Sequence, residues 1–228
     1  MRSVVCFFLA IVSLPVLAQS VKVSGAMKYI MQKADLTAHA RLDTFAKKDL
    51  YALGPVAGLK GEIMVLDGTV YSASVTSKGI RPAKNEVNEA AMLVYSHVSR
   101  WKAIDTILSI TGYKELEKIV AVLAKQQGLD PEQPFVFRME AIASGSMHII
   151  DWQKGTEHTM DNHRQFAAEL ALKGEKLELL GFYSDSHHGV FTHHTSNMHI
   201  HALNSGGVVG HVDAISMEGR IRFWLPAN

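Results

Sequence analysis

Asn197 to His211, NMHIHALNSGGVVGH, sets three histidines around a Gly-Gly turn. In a strand, residues two apart point to the same face, so His199 and His201 project together while Met198 and Ile200 face the core. Asn204 and Ser205 ahead of Gly206-Gly207 supply turn chemistry, and the reversal carries His211 back beside the first two. Three imidazoles thereby converge on one point. Three protein nitrogens with a fourth position open is the pattern of a catalytic zinc site, whereas a structural zinc takes four ligands. Zn2+ is the expected ion, although other divalent ions also accept imidazole. Ordinary strand histidines are the alternative.

Working outward, strand patterns fill nearly all of the second half. Six candidates are Phe135 to Ala143, Ser146 to Trp152, Lys176 to Tyr183, Asn197 to Leu203, Gly207 to Ile215 and Arg220 to Leu225, several alternating apolar with polar as half-buried antiparallel strands do. Glu157 to Leu172 is ambiguous, since Phe166, Ala167 and Leu170 fit a helix face. In the first half, Gly61 to Leu66 is an apolar strand, Asp67-Gly68 a hairpin turn and Thr69 to Val75 the returning strand. A short helix is expected near Ala26 to Ala34 and a further strand at Ala90 to Val98, preceded by the polar segment Arg81 to Glu89. Ile104, Ile107 and Leu108, then Leu116, Ile119, Val120 and Leu123, read as two successive helices broken at Thr111-Gly112, the second ending at Gly128. Pro131 and Pro134 then mark a boundary. The expected class is α/β of the α+β kind: residues 19–130 as an N-terminal subdomain with a mixed sheet, and residues 131–228 as a mainly antiparallel six-stranded metal-binding subdomain.

The start, MRSVVCFFLAIVSLPVLAQS, combines Arg2, an apolar run from Val4 to Leu14, and the small-residue end at Ala18. It reads as a cleavable signal peptide over residues 1–18, so an exported protein, periplasmic or secreted, is expected. The apolar run is short of the about 20 residues that span a bilayer, and no membrane association is expected after cleavage. Cys6, the only cysteine, lies inside this segment, so the remaining chain has no thiol for a disulfide or a metal. Histidine ligands suit an oxidising compartment. Across 228 residues the net charge is +1 with Lys and Arg scattered, which excludes an electrostatic footprint for nucleic acid and favours a small-molecule partner.

Two charged residues sit where charge is unexpected. Glu62 opens the apolar run GEIMVL, and Arg138 interrupts FVFRMEA. Apolar surroundings disfavour an ionised carboxyl, which suits a proton donor or acceptor, and a guanidinium there needs an anion. Placement at a strand edge or on the solvent face is the alternative for both. HHGVFTHH, His187 to His194, reads as a solvated loop able to supply a second metal or a substrate contact. Asp185 and Asp213 have weaker claims; Asp213 faces either the site or solvent.

GLKGEIMVLDGTVYSAS, FVFRMEA, LLGFYSDS and NMHIHALNSGGVVGHV, in that order, resemble the alpha-acetolactate decarboxylases over roughly Leu50 to Ile215. The resemblance implies a two-domain α/β fold, a single zinc held by His199, His201 and His211, Glu62 and Arg138 in the active site, conversion of 2-acetolactate or a close 2-hydroxy-3-oxo acid to acetoin and carbon dioxide, and a homodimer. Members of that family also return an acidic residue to the site from a C-terminal tail; this chain stops at Asn228, and that second acid is expected to be missing. Pro55 stands where a threonine is usual, and Ser-Asn-Met precedes the histidine pair in place of a Gly-Tyr type. A non-catalytic metal- or ligand-binding protein on the same scaffold, and a zinc hydrolase using a zinc-activated water beside Glu62, are the competing readings.

Overall fold

The protein is described by a computed structural model over residues 20–157 and 159–227. The expected signal segment lies outside these residues. In chain order the strands and helices are β1 (Lys22–Ser24), α1 (Met27–Lys33), β2 (Ala40–Arg41), β3 (Leu50–Pro55), β4 (Glu62–Leu66), β5 (Thr69–Thr76), β6 (Gly79–Lys84), β7 (Glu89–Ala90) and β8 (Leu93–His97). There follow β9 (Trp101–Ile110), α2 (Tyr113–Gln126), β10 (Phe135–Ile150), α3 (Met160–Gln165), β11 (Ala167–Tyr183), β12 (Met198–Asn204) and β13 (Val209–Pro226).

The hairpin read from sequence forms where expected. Asp67 and Gly68 both take positive φ, 46° and 72°, the conformation that matches a two-residue turn to the twist of β4 and β5. These strands lie centrally in a six-stranded sheet ordered β1-β8-β3-β4-β5-β6, every pairing antiparallel. The second sheet, β10-β11-β12-β13-β9, is also antiparallel, and β10 pairs additionally with β13. β10, β11, β12 and β13 therefore form a closed circuit of neighbours. With both sheets antiparallel beside a few helices, the architecture is the expected α+β class, but the N-terminal sheet is not mixed as expected: tight hairpin connections such as Asp67-Gly68 join its neighbouring strands antiparallel.

Four expectations change in detail. Trp101 to Ile110 is strand, not helix: Ile104, Thr106, Leu108 and Ile110 turn inward while Ile107 is 79% exposed, so the helical spacing of 104, 107 and 108 was a coincidence within a β-branched run. The six C-terminal strand candidates merge into four strands, β10 to β13, and β9 joins their sheet. Ser144-Gly145 reads as a break, yet β10 continues through it without interruption while its neighbours absorb the irregularity: opposite Ala143 and Ser144, β11 skips Gly174, and opposite Ser146 and Met147, β13 skips Asp213. The ambiguous stretch before Leu172 divides into α3 and the first part of β11. The polar segment from Arg81 contributes to a sixth strand, β6, on the sheet edge.

Sheet membership changes between β8 and β9, so β9 and α2 join the C-terminal strands. The amphipathic face of α2, through Leu116, Val120 and Ala124, packs against Phe137, Met139, Ile200, Ile221 and Phe223. A second cluster fills the space between the sheets, joining Leu53, Met64 and Val94 to Val136, Leu180, Phe182 and Val209. Fully buried phenylalanines such as Phe137, Phe182 and Phe223 each stabilise the fold by about 1.5–3 kcal/mol.

Gly145 has φ 145°, and a Cβ there would lie 2.0 Å from the Ala214 carbonyl oxygen of β13. Gly145→Ala is expected to lower stability by about 2–4 kcal/mol, seen as an earlier urea midpoint at unchanged slope. An unchanged midpoint would show that β10 and β13 separate at little cost.

Candidate metal centre

β12 alternates as the sequence predicts. Met198, Ile200 and Ala202 enter the core packed on α2, and His199 and His201 face the first sheet. Asn204 accepts hydrogen bonds from the Gly206 and Val208 amides through Oδ1, closing the turn, and β13 then places His211 directly opposite His201. One ring nitrogen from each of His199, His201 and His211 lies within 4.8 Å of the others. The ring centroids are 4.9–5.6 Å apart.

His201 is fully buried. Its Nδ1–H donates to the Ile63 carbonyl on β4 at 2.8 Å, which fixes the tautomer and leaves Nε2 as a lone pair. That Nε2 and the Nδ1 of His199 are buried with no hydrogen-bond partner. An orphaned buried nitrogen costs about 1–3 kcal/mol, and two of them converging with a third imidazole is what a divalent ion would relieve. Burial holds all three rings in the neutral, ligating form: His201 is pushed down to about 3, and His199 and His211 well below the usual histidine value, by desolvation and then mainly by the neighbouring histidines in the latter two. A tetrahedral site with M–N of about 2.0–2.1 Å needs its nitrogens roughly 3.3 Å apart, so small ring rotations complete it. The residues fit a metal.

Glu62 is beside this cluster, its Oε2 3.5 Å from His201 Nε2, and only 3% exposed. Desolvation raises its pKa to about 7, against the lowering effects of His148 and the Ile150 backbone. Gly61 before it is required by close approach: at φ 140°, a Cβ would meet the Ala73 carbonyl oxygen at 2.2 Å.

Arg138 is placed differently. It faces the same way as His201 with Leu180 between them in register, about 10 Å across two strand spacings. One guanidinium nitrogen donates to Glu178 at 2.5 Å, the planar group lies 5.1–5.6 Å from the ring centres of Tyr51, Trp101 and Trp224, and Nε is buried without a partner. No direct contact joins it to the histidines among the described residues.

Two groups at the cluster carried little weight in the sequence. His148 on β10 pairs across the ladder with His211, their rings 4.9 Å apart, and its Nδ1–H donates to both Asp213 oxygens at 2.8 and 2.9 Å. Burial works against its charge, but the Asp213 hydrogen bond and the Glu62 charge outweigh this and raise its pKa. From the histidine-rich loop His193 alone reaches the centre, its ring 5.8 Å from His211. His187 instead bonds Ser184 and Ser186, and His188 bonds Asn197. The signal for His148 was of the same kind as that for Glu62: a polar residue inside the apolar strand segment SMHII.

Fold and site together define a class: an α+β protein with two antiparallel sheets and a three-histidine cluster that fits a metal ion. Within that class, the fold is that of the alpha-acetolactate decarboxylases. The alpha-acetolactate decarboxylase of Bacillus subtilis strain 168 matches with a TM-score of 0.70 at 15% identity, over 91% of this chain and 86% of that one. The acetolactate decarboxylase of Bacillus subtilis subspecies spizizenii matches with the same values. A Staphylococcus aureus protein of unknown function, described as similar to alpha-acetolactate decarboxylase, matches with a TM-score of 0.66 at 15% identity, over 90% and 84% of the two chains. No protein-family model matches the sequence, and no curated protein matches it. The resemblance read from the motifs is thus met in three dimensions at the level of fold.

Purified protein is expected to bind about one equivalent of divalent metal, and His201→Ala to weaken binding more than about 100-fold, measured by competition with a chelating dye. Metal-free protein is expected to lose thermal stability as pH falls from 7 to 5. His193, His199, His201 and His211 have depressed folded values, so unfolding takes up protons below the unfolded value near 6.5 and their contribution is lost on acidification. Glu62 and His148, both raised, act in the opposite sense and are outnumbered. A flat or rising melting temperature on acidification would contradict neutral buried imidazoles.

Proposed function

We propose that the protein is an exported zinc-dependent decarboxylase that converts 2-acetolactate, or a close 2-hydroxy-3-oxo acid, to acetoin and carbon dioxide. The observation that carries this is the buried Glu62 carboxyl set beside three converging neutral imidazoles. The ion fits His199, His201 and His211; when bound it supplies Lewis-acid stabilisation of the negative charge left as carbon dioxide departs. Among the described residues these three histidines would hold the ion, a donor set that would let it also accept an oxygen of the substrate.

Glu62 holds the proton. With a pKa near 7 it is substantially protonated at neutral pH, and it delivers that proton to the carbon that loses carbon dioxide, on one face only. Burial of Glu62, His199 and His201 lowers the local dielectric, which strengthens each electrostatic contact there. Arg138 acts on the substrate carboxylate from the Leu180 side, using the buried Nε–H that lacks a partner; its guanidinium also raises the local positive potential. Export is supported by the composition of the first eighteen residues, and a small-molecule partner by the modest net charge.

A second reading, metal binding without turnover, is favoured by one observation: Arg138 already has a carboxylate partner in Glu178. Racemic 2-acetolactate separates the two. The zinc-loaded protein is expected to release acetoin and carbon dioxide, and Glu62→Gln, with zinc content unchanged, to lower kcat by about 10²-fold or more. Glu62 loses its role if that variant turns over at the wild-type rate; zinc-loaded wild type with no turnover favours the second reading.

A further inference from the structure

His199 and His201 are 4% and 0% exposed, whereas His211 is half-buried. Solvent therefore approaches the cluster from the His211 side. Two half-buried rings stand against His211 there, His148 at 4.9 Å and His193 at 5.8 Å between ring centres. They border the route by which a ligand reaches the metal centre.

His148 is the one that is held. Asp213 is the residue that the β13 irregularity leaves without a ladder partner: Ser146 pairs with Ala214 and Met147 with Val212. Such a bulge re-aims a side chain, and here it brings both carboxylate oxygens onto His148 Nδ1. Nδ1 is thereby committed, the ring plane is fixed, and Nε2 is the end left to a ligand. Glu169 faces His148 across the ladder on the other side, so the ring is braced between acidic neighbours and His211.

Strand register places His148 with respect to the other polar group near the site. Stepping across hydrogen-bonded neighbours from Arg138 gives Leu180, His201, His211 and then His148. Arg138 and His148 thus flank the histidine pair from opposite ends of one row. A small hydroxy acid at the metal, with its carboxylate toward Arg138, has its hydroxyl toward His148.

Resting on the decarboxylase reading above, we propose that His148 Nε2, positioned by Asp213, hydrogen-bonds the 2-hydroxyl group of the bound acid and makes the site selective for 2-hydroxy acids. A hydroxyl suits this role because it both donates and accepts, and so complements an imidazole nitrogen in either protonation state. A site built around such a bond rejects the analogue that lacks the hydroxyl, since the nitrogen covered by the bound acid is then left unpaired.

Isothermal titration of zinc-loaded protein with 2-hydroxyisobutyrate and isobutyrate tests this, alongside acetolactate turnover. His148→Gln keeps an amide near the Nε2 position; His148→Asn keeps the group that meets Asp213 but falls short of the ligand. Wild type is expected to prefer the hydroxy acid, His148→Asn to lose that preference at least tenfold with zinc stoichiometry unchanged, and His148→Gln to retain a larger part of it. Asp213→Asn, acting through His148, is expected to raise KM for acetolactate more than it lowers kcat. If wild type prefers 2-hydroxyisobutyrate and His148→Asn keeps the same ratio within twofold, the His148 assignment is overturned while the decarboxylase reading stands. If zinc-loaded wild type neither turns over acetolactate nor binds either acid, the decarboxylase reading fails and the hydroxyl contact falls with it.

Discussion

One buried hydrogen bond ties the architecture to the site: His201 Nδ1–H to the Ile63 carbonyl, 2.8 Å long and linking residues 138 apart in sequence. It joins the second sheet to the first at the point where β12 passes over β4. Because the donor nitrogen is fixed, so is the acceptor nitrogen on the far side of the ring, and the direction of its lone pair. Everything else at the centre is arranged around that direction. Ile63 is held in β4 by the hairpin turn at Asp67-Gly68, and the carboxyl of the preceding residue, Glu62, arrives beside Nε2 through the same backbone.

The cluster is costly to fold without an ion. Two imidazole nitrogens are buried without partners, and a carboxyl is buried among apolar side chains. Each such group opposes folding by about 1–3 kcal/mol, an amount a few well-packed aromatic side chains offset. The two hydrophobic clusters on either face of the second sheet supply that packing. The same desolvation that makes the groups expensive gives them their chemistry: neutral imidazoles ready to ligate, and a glutamic acid that keeps its proton near neutral pH. Local instability and reactivity have a single cause here.

The parts of this that were legible in the sequence are those set by short-range periodicity. His199 and His201 share a face because they are two apart, and His211 returns because Asn204 to Gly207 form a turn; neither depends on distant residues. Glu62 and Arg138 stood out as charges in apolar runs, yet that signal does not say what each one meets. Glu62 meets the cluster; Arg138 meets Glu178 and three aromatic rings. His148 carries a similar signal, but its importance comes from pairing with His211 and from a bulge in β13, both long-range features. In β9, Ile104, Ile107 and Leu108 satisfy helical spacing, and pairing with β13 decides in favour of strand. Bulges have no clear local signature, so long strands looked like short ones.

The closed circuit of pairings has a geometrical consequence for β10. Arg138 and His148 are joined through four ladder steps, each about 5 Å, so their Cα atoms are separated by no more than about 20 Å. Along β10 the same ten residues would span roughly 33 Å if straight. The strand must therefore curl, and it does so around the histidines like a drawn bow, with the guanidinium at one tip and the imidazole at the other. The gap between those tips is governed by backbone curvature, which Gly174 and Asp213 make feasible by lengthening the strands on either side. The width of the centre is in this sense a property of main-chain geometry, and side-chain chemistry is free to vary within it.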